Sequence, residues 1–321
     1  MKTSIQIENK LISKPSRLGF KYHIKTFGCQ MNEHDSEKIA GIFNNDGMSK
    51  SDDIDSADIL FVNTCTIREN ADDKLYGTLG HLKKWKDQSS ERRLIVGGCA
   101  AQKDKELVRD RAPWVDVVIG THNTNDVINL LNQSEDWGPI TQIIEESKDI
   151  ESEILPVRES GFSAFVTIQI GCNNSCTFCI VPSVRGIEIS RRPSDIINEI
   201  KNLSNEGIKE ITLLGQNVNS YGRDLMIDNK RSPYFTQLLY KIHEIDGIER
   251  IRFTSPHPKD FKKETLLAVS ELPKIANQIH IPVQSGSDKI LSSMHRGYNQ
   301  KKYLSKICLL YTSDAADDTS G

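Results

Sequence analysis

Several things are scarce in this chain, and each shortage removes a class of function. No stretch approaches the ~18 consecutive apolar residues that a membrane-spanning helix needs. The first twenty residues, Met1 to Phe20, are polar and basic without an apolar centre, so they read neither as a secretory leader nor as a membrane anchor. Positive charge is not in excess. The net charge of the 321 residues is −3, so no global field advertises a nucleic-acid partner, and any RNA contact must come from a local patch. Apolar content is modest at 37%, with 26% charged residues, which suits a soluble globular protein long enough for two domains. Cytoplasmic placement follows as the expectation. In a reducing compartment seven cysteines point to metal or redox chemistry rather than to structural disulfides.

Three of those cysteines lie in one short stretch, Gly171-Cys172-Asn173-Asn174-Ser175-Cys176-Thr177-Phe178-Cys179. Thiolates are soft ligands for zinc or iron–sulfur clusters. Three ligands in one loop cannot close a four-ligand site, but they can hold a cluster with one iron left open. Three more cysteines are dispersed, and strand signals locate them. Tyr22 to Phe27 alternates and ends at Gly28-Cys29. Ile59 to Val62 is a continuous apolar run ending at Asn63-Thr64-Cys65. Leu94 to Val96 ends at Gly97-Gly98-Cys99. A further strand is expected over 115–119, with helices over 35–45 (Asp35 its N-cap), 68–86, 104–111 and 125–132. Strands alternating with helices argue an open parallel sheet with helices on both faces. Ligands bind such sheets at the carboxyl edge, where Cys29, Cys65 and Cys99 would converge. Three separate buried thiols acting as small hydrophobes remain the plain alternative.

Residues 1–20 form a polar extension, 21–132 the first domain, and 133–163 an acidic linker. From 164 to 308, strands at 164–170, 210–214, 249–253 and 278–283 alternate with helices at 192–206, 234–245 and 261–272, and with helical segments after Asp288 and Gln300. This is the rhythm of a partial TIM-like (β/α) barrel, whose sites lie on the loops after the strands. Those loops carry Gln216, Asn217, Ser255 and Gln284, amides and hydroxyls able to hold a polar cofactor, although turn chemistry explains many such residues. Arg185 and Arg191 follow the cysteine loop and could pair with phosphates or carboxylates. Four strands cannot close a barrel, and residues 309–321 continue no βα rhythm, so they read as a tail foreign to the reading frame, with Cys308 a bystander at the junction.

The C-x3-C-x2-C spacing with Phe178 before the last cysteine resembles the radical S-adenosylmethionine (radical SAM) signature. Lys25-Thr26-Phe27-Gly28-Cys29-Gln30-Met31-Asn32, Asn63-Thr64-Cys65-Thr66-Ile67-Arg68 and Gly97-Gly98-Cys99 resemble the N-terminal domain of the methylthiotransferases. Leu213-Leu214-Gly215-Gln216-Asn217-Val218-Asn219, Arg252 to Pro258 and Pro282 to Ser287 are similar to that family's tRNA branch. The likeness covers about residues 20–308; the end of the barrel and the small RNA-binding β-barrel that follow in the family are not in this chain.

The resemblance implies an enzyme, a transferase that adds a methylthio group to C2 of N(6)-isopentenyladenosine next to the anticodon of tRNA. It implies two [4Fe–4S] clusters, a radical SAM cluster on Cys172, Cys176 and Cys179 and an auxiliary one on Cys29, Cys65 and Cys99, together with S-adenosylmethionine. Phe178, Gln216, Asn217, Ser255 and Gln284 would then touch S-adenosylmethionine, and Arg185 and Arg191 the substrate. Partners implied are the tRNA anticodon loop, a reduced flavodoxin or ferredoxin-type electron donor and a sulfur donor, for a monomer without membrane contact. A methylthiotransferase acting on threonylcarbamoyl-adenosine or on a ribosomal protein side chain, and a non-enzymatic iron–sulfur protein, stand as the alternatives.

Overall fold

A computed structural model describes residues 16–66, 70–145, 156–158, 161–227, 229 and 231–315. Residues 1–15, 67–69 (with Arg68), 146–155 and 159–160 of the acidic linker, 228, 230 and the last six residues of the tail lie outside that set. The first domain runs β1 (Lys21–Thr26), α1 (Gln30–Asn45), β2 (Ser49–Lys50), β3 (Ile59–Thr64), α2 (Asn70–Lys86), β4 (Arg93–Gly98), α3 (Cys99–Asp104), α4 (Leu107–Arg111), β5 (Val117–Ile119), α5 (Val127–Trp137) and β6 (Ile140–Gln142). Its six strands form one parallel sheet in the order β2-β1-β3-β4-β5-β6.

Period-two alternation sends neighbouring side chains to opposite faces. Leu60, Val62, Leu94 and Val96 pack with Leu79 of α2, Ala100 of α3 and Val108 of α4. Ile59, Phe61 and Ile95 pack with Phe43 of α1 and Leu130 of α5. Strands buried on both faces read as unbroken apolar runs, which is why β3 and β4 stand out in the sequence.

Four boundaries differ from expectation. Helix α1 begins at Gln30 with Cys29 as its N-cap, not at Asp35. Its first turns bury Asn32, His34 and Ser36, polar residues that carry no hydrophobic period. The expected 104–111 helix is split into α3 and α4 at Lys105, whose φ is +51°. Residues 133–137 continue α5, and 140–142 form the edge strand β6, so the sheet extends into the segment read as linker. The described end of the polar extension, from Ser16, is anchored: the Arg17 guanidinium pairs with Asp46 and Glu135, each at 3.1 Å.

The second domain runs β7 (Ser163–Thr167), β8 (Gln169–Ile170), α6 (Val181–Arg185), β9 (Ile189–Ser190), α7 (Pro193–Asn205), β10 (Glu210–Leu214), α8 (Phe235–His243), β11 (Arg250–Phe253), α9 (Lys263–Glu271), α10 (Asp288–Ser293) and α11 (Gln300–Ala315). Strands β11-β10-β7 form a parallel sheet, while β8 pairs antiparallel with β9 and brackets the cysteine loop. Val166, Ile211, Leu213 and Ile251 pack beneath Ile196 and Ile200 of α7, Leu238 and Ile242 of α8 and Leu266 of α9.

The expected strand at 278–283 does not form. That stretch follows a single bridge between Ile251 and Ile275. Its carbonyls are taken by side chains instead: the Tyr303 hydroxyl donates to Ile281 O at 2.8 Å and the Tyr298 hydroxyl to Val283 O at 3.0 Å. Helix α11 runs past Cys308, and Leu309 and Leu310 pack against the barrel core, so the first residues of the supposed tail contribute to packing.

Candidate metal centres at two strand-end crests

Strands β1, β3 and β4 are neighbours, so the residues at their carboxyl ends are neighbours too. Cys29 caps α1, Cys65 follows β3, and Cys99 opens α3 directly after Gly98. The chain reverses its direction across the sheet between β1 and β3, and such a switch point opens a crevice at the carboxyl edge. Gly28 lies against Cys65: at its φ of +122° an added Cβ would stand 2.8 Å from Cys65 Cβ. The crest is stiffened by polar bonds between its loops. Asn32 Nδ2 donates to Thr64 O at 2.8 Å, Asn63 Nδ2 donates to Asn32 O at 2.8 Å, and the Thr64 hydroxyl donates to Gly97 O at 2.5 Å. Burial pushes the Cys99 thiol up, opposed by the neighbouring Arg185 guanidinium.

The second trio sits where β8 delivers the chain to the barrel mouth. Gly171, at φ +74°, lets Cys172 turn in against the β9 side, where its N–H donates to Gly186 O at 3.1 Å. Cys172, Cys176 and Cys179 line a cavity of about 220 Å³ together with Gln216, Ser255, His257, His280, Pro282 and Arg296. Burial drives the Cys172 thiol up to about 11. Cys176 Sγ lies 3.8 Å from His257 Nε2 and accepts from Arg296 Nη1 at 3.4 Å. Burial, then the Arg296 charge, lowers His257 to about 4, so the ring beside the cysteines is neutral at pH 7.

Both trios fit iron–sulfur clusters. The donors are thiols alone, and iron turns a buried, reluctant thiol into a thiolate by supplying the missing positive charge. Zinc draws its ligands to within ~2.3 Å of one ion. Among the described residues no three His, Cys, Asp or Glu side chains are gathered to grip a single ion. Three thiols would leave one iron of a four-iron cluster without a protein ligand.

The other expected contacts divide. Gln216 and Ser255 line the barrel cavity. Phe178 does not: its ring is fully exposed at φ +63°. Asn217 is buried and donates to Asp260 Oδ2 at 2.9 Å, which fixes the loop after β10. Gln284 is exposed on the loop after Pro282 and lies outside the cavity lining. Arg185 and Arg191, expected to meet substrate, are committed within the protein. Arg191 Nη1 pairs with Glu199 at 2.6 Å and donates to Thr167 O at 2.8 Å. Arg185 is buried and pairs with Asp35 of α1 at 2.7 Å. Burial works against its charge, but Asp35 and Cys99 outweigh burial and raise its pKa. Arg296 and His280 had no signal in the sequence, because only the fold brings them to the cysteines.

Comparison with known proteins agrees with this geometry. Residues 21–120 match Uncharacterized protein family UPF0004, and residues 166–311 match the Radical SAM superfamily. The chain is 46% identical over 295 residues to the tRNA-2-methylthio-N(6)-dimethylallyladenosine synthase of Corynebacterium jeikeium, covering 91% of this chain and 57% of that protein. It is 48% identical over 285 residues to the protein of the same name from Salinispora arenicola, covering 88% and 56%. The chain thus spans little more than half the length of the curated relatives it matches. Among solved structures, the radical S-adenosylmethionine methyltransferase TsrM from Kitasatospora setae superposes with a TM-score of 0.60 at 12% identity, covering 91% of this chain and 66% of that one. The cobalamin-dependent S-adenosylmethionine radical enzyme OxsB superposes with a TM-score of 0.62 at 14% identity, covering 94% and 48%. At these identities the likeness is one of fold.

Proposed function

Because this chain belongs to the radical SAM methylthiotransferase family, we propose that it carries the chemistry of a tRNA methylthiotransferase: transfer of a methylthio group to C2 of N(6)-isopentenyladenosine beside the anticodon. The observation that carries this reading is the pair of cysteine trios, one at the strand ends of each domain, linked through Arg185. A radical initiator alone needs one trio; the second gives the protein somewhere to hold sulfur.

Cys172, Cys176 and Cys179 would hold one [4Fe–4S] cluster, and Cys29, Cys65 and Cys99 the other. When bound, the clusters and S-adenosylmethionine supply one-electron chemistry able to open an unactivated C–H bond, together with sulfur for transfer. The chain's own residues prepare the site. Gln216, Ser255 and His280 offer polar groups around the barrel cavity, and Pro256 and Pro282 give it stiff walls. Asn219 Nδ2 donates to His257 O at 3.0 Å while His257 N donates to Asn219 Oδ1 at 2.9 Å, which locks the loop after β11 beneath the cysteines. A loop base of RNA can be unstacked and turned out for such a site. Reduced flavodoxin or a ferredoxin-type protein would deliver electrons, and a separate donor would replace sulfur, in the cytoplasm. No helix among the described residues is long and apolar enough to cross a membrane.

Mass spectrometry of tRNA nucleosides tests the proposal. A strain lacking the gene should lose 2-methylthio-isopentenyladenosine and accumulate isopentenyladenosine. The intact gene should restore it, while Cys65→Ala or Cys172→Ala in that gene should not. Unchanged 2-methylthio-isopentenyladenosine in the deleted strain refutes the substrate. Loss of the 2-methylthio group from threonylcarbamoyl-adenosine would assign the chain to the other tRNA branch.

A further inference from the structure

One cation joins the two halves of the site. Arg185 ends α6, the short helix that follows the barrel's cysteine loop, yet its side chain leaves its own domain. It is 6% exposed. Nη2 lies 2.7 Å from Asp35 Oδ2 and 3.4 Å from Asn32 Oδ1, both on α1, the helix capped by Cys29. Cys99 lies close enough to feel the charge of the same guanidinium. Asn32 is also the residue whose Oδ1 stands 3.7 Å from Cys29 Sγ. Arg185 therefore bears on two of the three cysteines of the first domain, Cys29 through Asn32 and Cys99 through its charge. The barrel trio has its own guanidinium, Arg296 on Cys176 at 3.4 Å, but that residue is only half buried, so water screens it more.

We propose that Arg185 is a positioning residue for the auxiliary centre: through Asp35 it fixes the first domain on the barrel, and through its buried charge, set against Asn32 beside Cys29, it raises the reduction potential of the iron–sulfur group held by Cys29, Cys65 and Cys99. This rests on the two-cluster reading given above. The physical reason is electrostatic. A cluster that accepts one electron gains a unit of negative charge, and much of that charge spreads onto its sulfurs. A fixed, buried positive charge near those sulfurs stabilises the reduced form more than the oxidised one. Asp35 neutralises the guanidinium from the far side, so it tempers the effect without reversing it.

The test uses the full chain, reconstituted anaerobically with iron and sulfide, in a background where Cys172, Cys176 and Cys179 are all alanine. Only the auxiliary centre can then load, and iron and sulfide analysis reports whether it does. Stepwise reduction with dithionite, followed by electron paramagnetic resonance, gives the midpoint. Arg185→Gln keeps a donor but removes the charge. It should cut the reduced-to-oxidised ratio at a fixed potential about tenfold, a midpoint roughly 59 mV more negative for one electron. Arg185→Lys keeps the charge, loses the planar fork, and should show a smaller drop in the same direction. Should the glutamine variant not load its cluster, the lysine variant alone decides by its shift. Asp35→Asn removes the ion pair yet leaves the cation, so its midpoint should not fall. If Arg185→Gln and Asp35→Asn lower the melting temperature alike and neither moves the midpoint, Arg185 only fastens domains and the proposal is overturned. If the parent without the barrel cysteines loads no cluster, the two-cluster reading falls, and this proposal with it.

Discussion

Gly171→Ala should dismantle the barrel cysteine loop, and the cost can be worked out from the structure. Gly171 joins β8 to Cys172 at φ +74°. A side chain in this left-handed region costs about 1–2 kcal/mol. The added Cβ would stand 2.6 Å from Gly186 O and 2.5 Å from the Ile187 carbonyl carbon, with Ile187 O closer still, whereas ordinary contact begins at 3.4 Å. These are backbone atoms of a neighbouring segment and cannot swing away. Overpacking of this kind costs about 1–3 kcal/mol. The Cys172 N–H bond to Gly186 O, 3.1 Å long, would break as the segments part, losing about 1 kcal/mol. The sum is roughly 3–6 kcal/mol, or about 10 °C or more in melting temperature for a domain of this size. Gly207→Ala is the control. Gly207 has a φ of +93° but nothing within 4 Å of the added Cβ, so only the conformational cost applies. Thermal melts and iron content after reconstitution measure both variants. Gly171→Ala should melt well below Gly207→Ala and retain only the auxiliary iron. If the two melt within a few degrees of each other and both load two clusters, the close approach does not constrain the loop and the reasoning fails.

Two further outcomes concern stability. His34 lies between α1 and β7, with Nδ1 2.7 Å from Thr167 Oγ1. Burial first, then the charges of Lys38, Arg191 and Arg158, hold it well below the ordinary histidine value. The folded protein therefore keeps this ring neutral while the unfolded chain takes up a proton. The resulting stability is fully present above pH ~6.5 and is lost as pH falls below it. Urea unfolding midpoints taken from pH 7.5 down to about 5 should decline less steeply in His34→Gln than in the parent, by up to ~1.4 kcal/mol per pH unit; equal slopes would show that the ring titrates freely. Arg17→Ala should lose about 3–5 kcal/mol, since it leaves Asp46 buried without its cation. In a double-mutant cycle Asp46→Ala should add little to that loss, and fully additive costs would show that the two do not act as a pair.

The cysteines were legible because each follows a strand whose apolar run is unmistakable: Ile59 to Val62 before Cys65, Leu94 to Val96 before Cys99. Buried parallel strands write themselves into a sequence in this way, and the ligand-bearing edge follows from their direction. The start of α1 was not legible, since its first turns face other polar groups at Asn32 and Ser36 rather than a core. Nor was β6, an edge strand of three residues with no buried position. Residues 278–283 read as a strand because Ile279 and Ile281 are apolar, but those side chains pack on the barrel core without a ladder beside them. Arg185 stands out in the sequence as a candidate for phosphates or carboxylates, and in the fold the carboxylate it meets is Asp35. Its neighbours Asp35 and Cys99 lie far upstream, and no local pattern encodes a contact across two domains. Arg296, in the turn before Tyr298, was missed for the same reason.

Each domain supplies every cysteine of its own trio, and this separates the two centres in time as well as in space. The six-stranded sheet is complete at Gln142, with all three of its cysteines already in place, before Cys172 has been added to the chain. At a synthesis rate of ~5–20 residues per second, the first crest precedes the second loop by seconds. The order of translation thus lets the first domain finish as an independent unit, and Arg185, made last of these parts, closes the joint behind it.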